Sequence, residues 1–280
     1  MKVLIKYFIK NLFYIIEVFY IFIMNTINKN SFYILTPRII SYFLMRVVIF
    51  DKIKKIFFIQ YVRNFYDINT VFQIFGYEEY NLKKIKLWNK LINEYKNIKA
   101  NKLIVDCGSN IGSTSRYFFE IYKNAKIISI EPDESNFKYL SKNVRPDKIK
   151  LLNLGVASQE YDYKVIKKKD PRAHKIGILK NRGKKTSKKT ITINKILQQE
   201  KKKIWPFIIK IDIEGFEKDL FSKNYNWMDQ FKIIIVEIHD WMLPYQNISL
   251  NYINALSKIS KINKRDLIIL GENLISIRKK

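Results

Sequence analysis

Residues 103–133 read LIVDCGSNIGSTSRYFFEIYKNAKIISIEPD. Residues 103–106 form an apolar run that ends on an acid, as a strand buried on both faces does. DCGSNIG, residues 106–112, puts glycines at 108 and 112, where a tight turn or a close ligand requires backbone without a side chain. STSRYFFEIYKN, 113–124, has helical spacing with Asn124 as its closing residue, and KIISIEP, 126–132, is a second strand stopped by Pro132. Strand, turn, helix and strand in succession predict a parallel sheet covered by helices on both faces.

The same alternation extends in the C-terminal direction. ESNFKYLSKNV (134–144) reads as a helix, IKLLNLGV (149–156) as a third strand and WPFIIKIDIEG (205–215) as a fourth, with a helix from about Phe216. FKIIIVEIHDW (231–241) reads as a fifth strand, SLNYINALSKIS (249–260) as a helix, and DLIILGENLISI (266–277) as a closing strand pair around Gly271. The fold class is therefore α/β, a doubly wound domain over residues 100–280. Residues 156–206 interrupt the rhythm and read as an inserted set of short antiparallel strands or loops, followed by a short helix.

Upstream, residues 1–64 form an apolar and basic extension. Lys2, Lys6 and Lys10 precede the apolar stretch Leu12–Met24, which Glu17 interrupts. That stretch is shorter than the roughly 20 apolar residues of a spanning helix, so it reads as an interfacial helix or one packed on the protein. Residues 31–63 continue as helix-like sequence. Residues 65–99 read as a lead-in, with a helix over Asn81–Asn97. Phe72–Tyr80 within it suggests a lid carrying Tyr77 or Tyr80, although core packing explains those aromatics more simply.

The 280 residues carry 52 Lys and Arg against 25 Asp and Glu, a formal charge of +27. One cysteine and two histidines exclude a disulfide framework, a multi-cysteine zinc site and a histidine-rich metal cage. The single cysteine also fits a reducing, cytoplasmic setting. Residues 164–203 hold 16 Lys and Arg against two acids. A solvated basic face accounts for such a run first; attraction to an anionic substrate or membrane surface comes next, and nucleic acid last.

The turn after the first strand is the candidate ligand site, because doubly wound sheets bind ligands at the carboxyl ends of their strands. Glu131, at the tip of the second strand, is suited to accept both hydroxyls of a ribose. The glycine pattern is D-x-G-x-x-x-G, not the dinucleotide G-x-G-x-x-G. An acid before the first glycine, with no pyrophosphate cradle, suits S-adenosylmethionine better than NAD. Asp212 and Glu214 follow the fourth strand two apart, and Glu237 and His239 repeat that spacing after the fifth. If strand geometry persists, each pair shares a side. His239 is the first choice as general base, since its ordinary pKa lies near neutrality, and Asp212 is the second. Each has a plainer reading: Glu214 as a helix N-terminal acid, Glu237 as a buried acid paired with Lys210, His239 as a satisfied surface histidine. Cys107 reads as a small apolar filler, and His174 is given no role. The four polar groups could also hold a divalent metal, but none is assigned.

These blocks resemble the FkbM-type S-adenosylmethionine-dependent methyltransferases. DCGSNIG is similar to that family's D-x-G-A-N-x-G, with Ser109 in place of alanine. Glu131–Asp133 is similar to its ribose-acid block, KIDIEGFE (210–217) to its most characteristic block, and Val236–His239 to the strand end that follows. TVFQIFGYEEY (70–80) is similar to its lead-in. Where the family commonly has a T-L-D-like run, this chain has Thr192-Ile193-Asn194. The resemblance implies a Rossmann-like methyltransferase domain with a mostly parallel seven-stranded sheet behind a helical N-terminal extension. It also implies a cofactor held by Asp106, Gly108, Asn110, Gly112, Glu131, Pro132 and Asp212. The implied chemistry is methyl transfer to a hydroxyl, often of a sugar or natural product, with His239, Asp212, Glu214 and Glu237 as the catalytic set. A nucleic-acid (RNA) methyltransferase is the alternative that the +27 charge motivates. Amino-methylating enzymes of this fold usually carry an N/D-P-P-Y/F block after the fourth strand; here Asp212-Ile213-Glu214-Gly215 stands there, so nucleic acid is not expected as a partner. A non-catalytic membrane-associated binding protein is a further alternative, and the intact acids speak against it. Peripheral contact with the inner face of a membrane is expected through the N-terminus; the oligomeric state is not legible.

Overall fold

In a computed structural model the chain is described at residues 16–23, 30–179, 188–200, 204–240, 245–259 and 264–279. The ends of the Leu12–Met24 stretch and residues 180–187 of the basic insertion lie outside that description. The chain divides into two compact units, Met1–Leu82 and Lys83–Lys280, a boundary that falls inside the 65–99 lead-in.

In the first unit residues 16–23 are helical. β1 (Phe32–Ile34), α1 (Arg38–Leu44), β2 (Arg46–Asp51), β3 (Ile56–Tyr61) and α2 (Phe65–Val71) follow, with a π-helical turn over Phe72–Gly76. The strands pair antiparallel in the order β1-β2-β3. This corrects the helix-like reading of residues 31–63. Alternate positions of β2, Val47 and Ile49, are buried, but Val48 and Phe50 on the opposite face are apolar too. Apolar residues on both faces hide the period of two that identifies a strand. Asn64 caps α2 by accepting from Asp67 N at 3.0 Å. Phe75 packs edge-on against Phe32 and Phe58, and Tyr80 is buried, which favours core packing for those two, whereas Tyr77 is 43% exposed. Among the described residues no helix is long and apolar enough to cross a membrane.

The second unit opens with α3 (Trp88–Asn97) and β4 (Asn101–Cys107). α4 (Ser113–Ile121), β5 (Ala125–Ile130), α5 (Glu134–Asn143) and β6 (Ile149–Leu152) complete its first half. β7 (Asp162–Ile166), β8 (Lys175–Ile178) and β9 (Lys188–Lys189) form the expected antiparallel insertion, with β7 in the middle. Then come α6 (Ile193–Gln199), β10 (Ile204–Ile211), α7 (Glu217–Leu220), β11 (Ile233–Glu237), α8 (Ile248–Ile259), β12 (Arg265–Leu270) and β13 (Asn273–Arg278).

The main sheet has seven strands in the order β12-β13-β11-β10-β4-β5-β6. β11, β10, β4, β5 and β6 run parallel, and β13 runs antiparallel to both of its neighbours, β11 and β12. Leu103, Ile104 and Val105 of β4 and Phe207, Ile208 and Ile209 of β10 are fully buried, because helices cover both faces of the sheet. The chain leaves β4 toward β5 and β6, then crosses back to β10 on the other side. The strand order thus reverses between β4 and β10, and a cleft opens there at the carboxyl edge.

Local chemistry shapes that edge. Gly108 (φ 79°) approaches β10 so closely that a Cβ there would lie 1.7 Å from the Asp212 carbonyl oxygen. Gly112 (φ 89°) starts α4 beneath Leu140. Asp133 caps α5 by accepting from Asn136 N at 2.9 Å, a cap that stabilises by about 1 kcal/mol.

Candidate active site

The tips of β4, β5, β10 and β11 bring the polar residues together. Lys210 is the electrostatic tie. Its Nζ donates to Gly108 O (3.0 Å) and Asp212 Oδ2 (3.0 Å) and lies 3.5 Å from Asp106 Oδ1. Asp106 is fully buried and accepts from Ser115 Oγ at 2.5 Å. It therefore stands behind the loop, where it orders Ser115 and Lys210.

Glu131 sits at the tip of β5. Its Oε2 accepts from Asn110 N (2.8 Å) and its Oε1 from Asp133 N (3.0 Å). Burial pushes its pKa up to about 7, although the amides of Asp133 and Asn110 favour its charged form. Asn110 takes a left-handed backbone (φ 49°) that aims its N–H at this carboxylate. Gly112 serves helix packing. The Cys107 thiol is buried, which raises its pKa and makes it an apolar filler.

At the other end of the edge, His239 is only 2% exposed, so it is not a surface histidine. Its Nδ1 lies 3.2 Å from Glu217 Oε1. Its Nε2 faces Asp212 Oδ1 (3.7 Å), Glu237 Oε1 (3.7 Å) and Glu214 Oε2 (3.9 Å). Burial opposes a charge on the ring, but Glu217, Asp212 and Glu237 together outweigh it and push the pKa up to about 10. Burial, with Asp212 beside it, pushes Glu214 up to about 8.

The four polar groups converge as the i, i+2 spacing predicts, but by a different route. The strand ends at Ile211, and Glu214 (φ 57°) and Gly215 (φ 90°) form a left-handed turn that swings the second carboxylate back toward the histidine. Glu217 is the member that the sequence reading did not single out. It lies in the first turn of α7, one residue later than the expected helix start, and its Oε1 also accepts from Ile213 N at 2.8 Å. In the Thr192-Ile193-Asn194 run, Thr192 caps α6 and Asn194 donates to Asn224 O, so both serve structure.

A cleft lies along this edge. Glu131 and Pro132 line one end, Asp212 and Glu214 the other, and Leu154, Val156 and Ile176 add apolar surface. Asp106, Asn110, Gly112, Glu237 and His239 are not among its lining residues; His239 stands behind Asp212 and Glu214. An acid at the β5 tip for ribose hydroxyls, apolar walls for a base and the Asp212 carboxylate for a cationic tail fit S-adenosylmethionine, the group the sequence points to. Asp212, Glu214 and His239 also present ligand atoms within 4.8 Å of one another, a cage for positive charge in general.

Residues 106–259 match the methyltransferase FkbM domain. The chain belongs to the FkbM methyltransferase family. It is thus a methyltransferase that uses S-adenosylmethionine, and the matched region spans every tip residue described above. No curated protein sequence matches the chain. Among solved structures it is similar to the N-terminal domain of human METTL16 in complex with SAH: 12% identity, 69% of this chain, 68% of that chain, TM-score 0.39. It is also similar to a putative rRNA-methylase from Clostridium thermocellum: 11% identity, 70% of this chain, 96% of that one, TM-score 0.37. A third is precorrin-6y C5,15-methyltransferase from Geobacter metallireducens GS-15: 8% identity, 71% and 92% coverage, TM-score 0.36.

Proposed function

We propose that this FkbM methyltransferase acts on a hydroxyl of a sugar, glycan or glycolipid, with His239 as general base. The observation that carries the reading is the His239–Glu217 pair. Nδ1 lies 3.2 Å from a buried carboxylate oxygen, and Nε2 is the nitrogen turned toward the pocket acids Asp212 and Glu214. A hydroxyl must lose its proton as its oxygen attacks, and a fixed imidazole is the group suited to take it.

S-adenosylmethionine, when bound, would supply a methyl group on a sulfonium cation. Glu131 would accept from its ribose hydroxyls at one end of the pocket. At the other, Asp212 would face the cation and so offset part of the field that raises the His239 pKa, while Glu217, the main cause of that rise, stays in place. In its neutral form His239 would offer the Nε2 lone pair to the acceptor's proton, and Glu217 would stabilise the imidazolium that forms. Positioning along the strand tips provides much of the remaining rate.

Purified full-length protein with labelled S-adenosylmethionine and surface-polysaccharide extract should give labelled sugar, and His239→Ala should abolish it. The basic run 164–203 favours RNA as a second reading. Label entering RNA, with steep salt dependence, would establish that alternative in place of the first.

We further infer peripheral membrane attachment through the first unit, on the inner, cytoplasmic face. Phe19, Phe22, Phe43 and Phe57 are each more than 60% exposed there. Fractionation that leaves the whole full-length pool in solution would contradict it.

A further inference from the structure

One wall of the pocket comes from outside the doubly wound core. His174, Lys175 and Ile176, at the head of β8, line it together with Glu131, Asp212 and Glu214. Several contacts dock this wall on the β5–α5 corner. Asn136 Nδ2 donates to Pro171 O at 3.1 Å, and the buried His174 side chain places Nδ1 3.5 Å from Asp133 Oδ2. Lys188 of β9 pairs with Glu134 at 2.9 Å. Ile176 packs on Gly155 so tightly that a Cβ there would lie 3.1 Å from its Cδ1.

Within this wall Lys175 is half-buried, and no acceptor among the described residues stands within hydrogen-bond or ion-pair reach of its ammonium. Its neighbours differ: Arg172 pairs with Asp170, Lys188 with Glu134 and Lys195 with Glu160. A lysine withdrawn from water is ordinarily paired. Here the withdrawn lysine borders the pocket, on an insertion whose charge concentrates anions around it.

We propose that Lys175 receives an anionic group of the acceptor, a carboxylate or a phosphate borne by the sugar whose hydroxyl is methylated. The proposal rests on reading this pocket as the methyl-transfer site. An ammonium is a compact point charge that accepts either anion, so the two sources share one chemistry.

The test is a binding titration followed by NMR on the full chain saturated with S-adenosylhomocysteine. The probes are methyl glucuronide, glucose 6-phosphate and neutral methyl glucoside. At least one anionic probe should bind about tenfold or more tightly than the neutral one, and which of the two does so identifies the anion. Lys175→Gln should remove the advantage, Lys175→Arg should keep it, and Lys169→Gln, on an exposed neighbour, should change nothing. In the wild type the advantage should also shrink with added salt, a readout that needs no variant. Equal affinities, no sugar binding, or an advantage that survives Lys175→Gln would overturn the proposal and leave the methyl-transfer reading standing. Failure of S-adenosylhomocysteine to bind would overturn both.

Discussion

His239 Nδ1 stands 3.2 Å from Glu217 Oε1, the oxygen that also accepts from the Ile213 backbone N–H. One carboxylate thus fixes both the turn after β10 and the ring at the end of β11. His239→Ala should lower kcat about a hundred- to ten-thousandfold, with cofactor affinity within a few-fold of wild type by calorimetry. Glu217→Gln should have a smaller effect on kcat and move the alkaline-rising limb of the pH profile to lower pH, because a carboxylate that raises the imidazole's pKa is gone. A Glu217→Gln profile that coincides with wild type would remove the pair from the mechanism.

The same pair sets a stability trend in the ligand-free protein. A histidine titrates near 6.5 when unfolded and His239 near 10 when folded, so the folded state holds the proton more tightly. Its contribution to stability is complete below pH 6.5 and is lost as pH rises through 10. Thermal melts between these limits should show wild type losing stability relative to His239→Gln. Parallel curves would show that the ring is not held charged.

Glu131 leads to a prediction about binding. Its pKa near 7 means that the ligand-free carboxyl is part protonated at neutrality, and only the ionised form offers acceptors to both ribose hydroxyls. Affinity for S-adenosylhomocysteine should therefore rise with pH through about 7. Glu131→Gln should weaken binding about tenfold or more and abolish that pH dependence. A variant that keeps the wild-type slope would place the titrating group elsewhere.

Gly108→Ala should be among the most damaging single changes in the chain. Its methyl would meet the Asp212 backbone at 1.7 Å, in a left-handed conformation that already disfavours a side chain. A loss of about 4 kcal/mol or more, or failure to fold, is expected in chemical denaturation. A near-neutral result would mean that the β4 and β10 tips are not so closely apposed.

Much of this was legible from residues 103–133 and the strands that follow, since buried parallel strands read as continuous apolar runs. The closing pair around Gly271 and the inserted antiparallel strands were legible for similar reasons. β2 and β3 were not, because apolar residues on both faces conceal a period of two. At the site, the i, i+2 pairs marked four of the five residues in the cluster. Glu217 escaped because its role depends on how the left-handed turn at Glu214 and Gly215 folds α7 back, which no linear spacing reveals. His174, Lys175 and Ile176 escaped because an insertion remote in sequence brings them to the pocket.

In the proposed reading the cluster of Asp212, Glu214 and His239 faces a sulfonium cation, so the reaction should proceed without a metal. Incubation with a chelator should leave the rate of methyl transfer unchanged. A rate that collapses and returns with added divalent ion would reassign the cage.

The most direct test of the central claim is calorimetric titration of S-adenosylmethionine into the full-length protein and into Glu131→Ala. The account predicts one binding site per chain in the wild type and loss of binding in the variant. No binding by the wild type, or equal affinity in both, would contradict it.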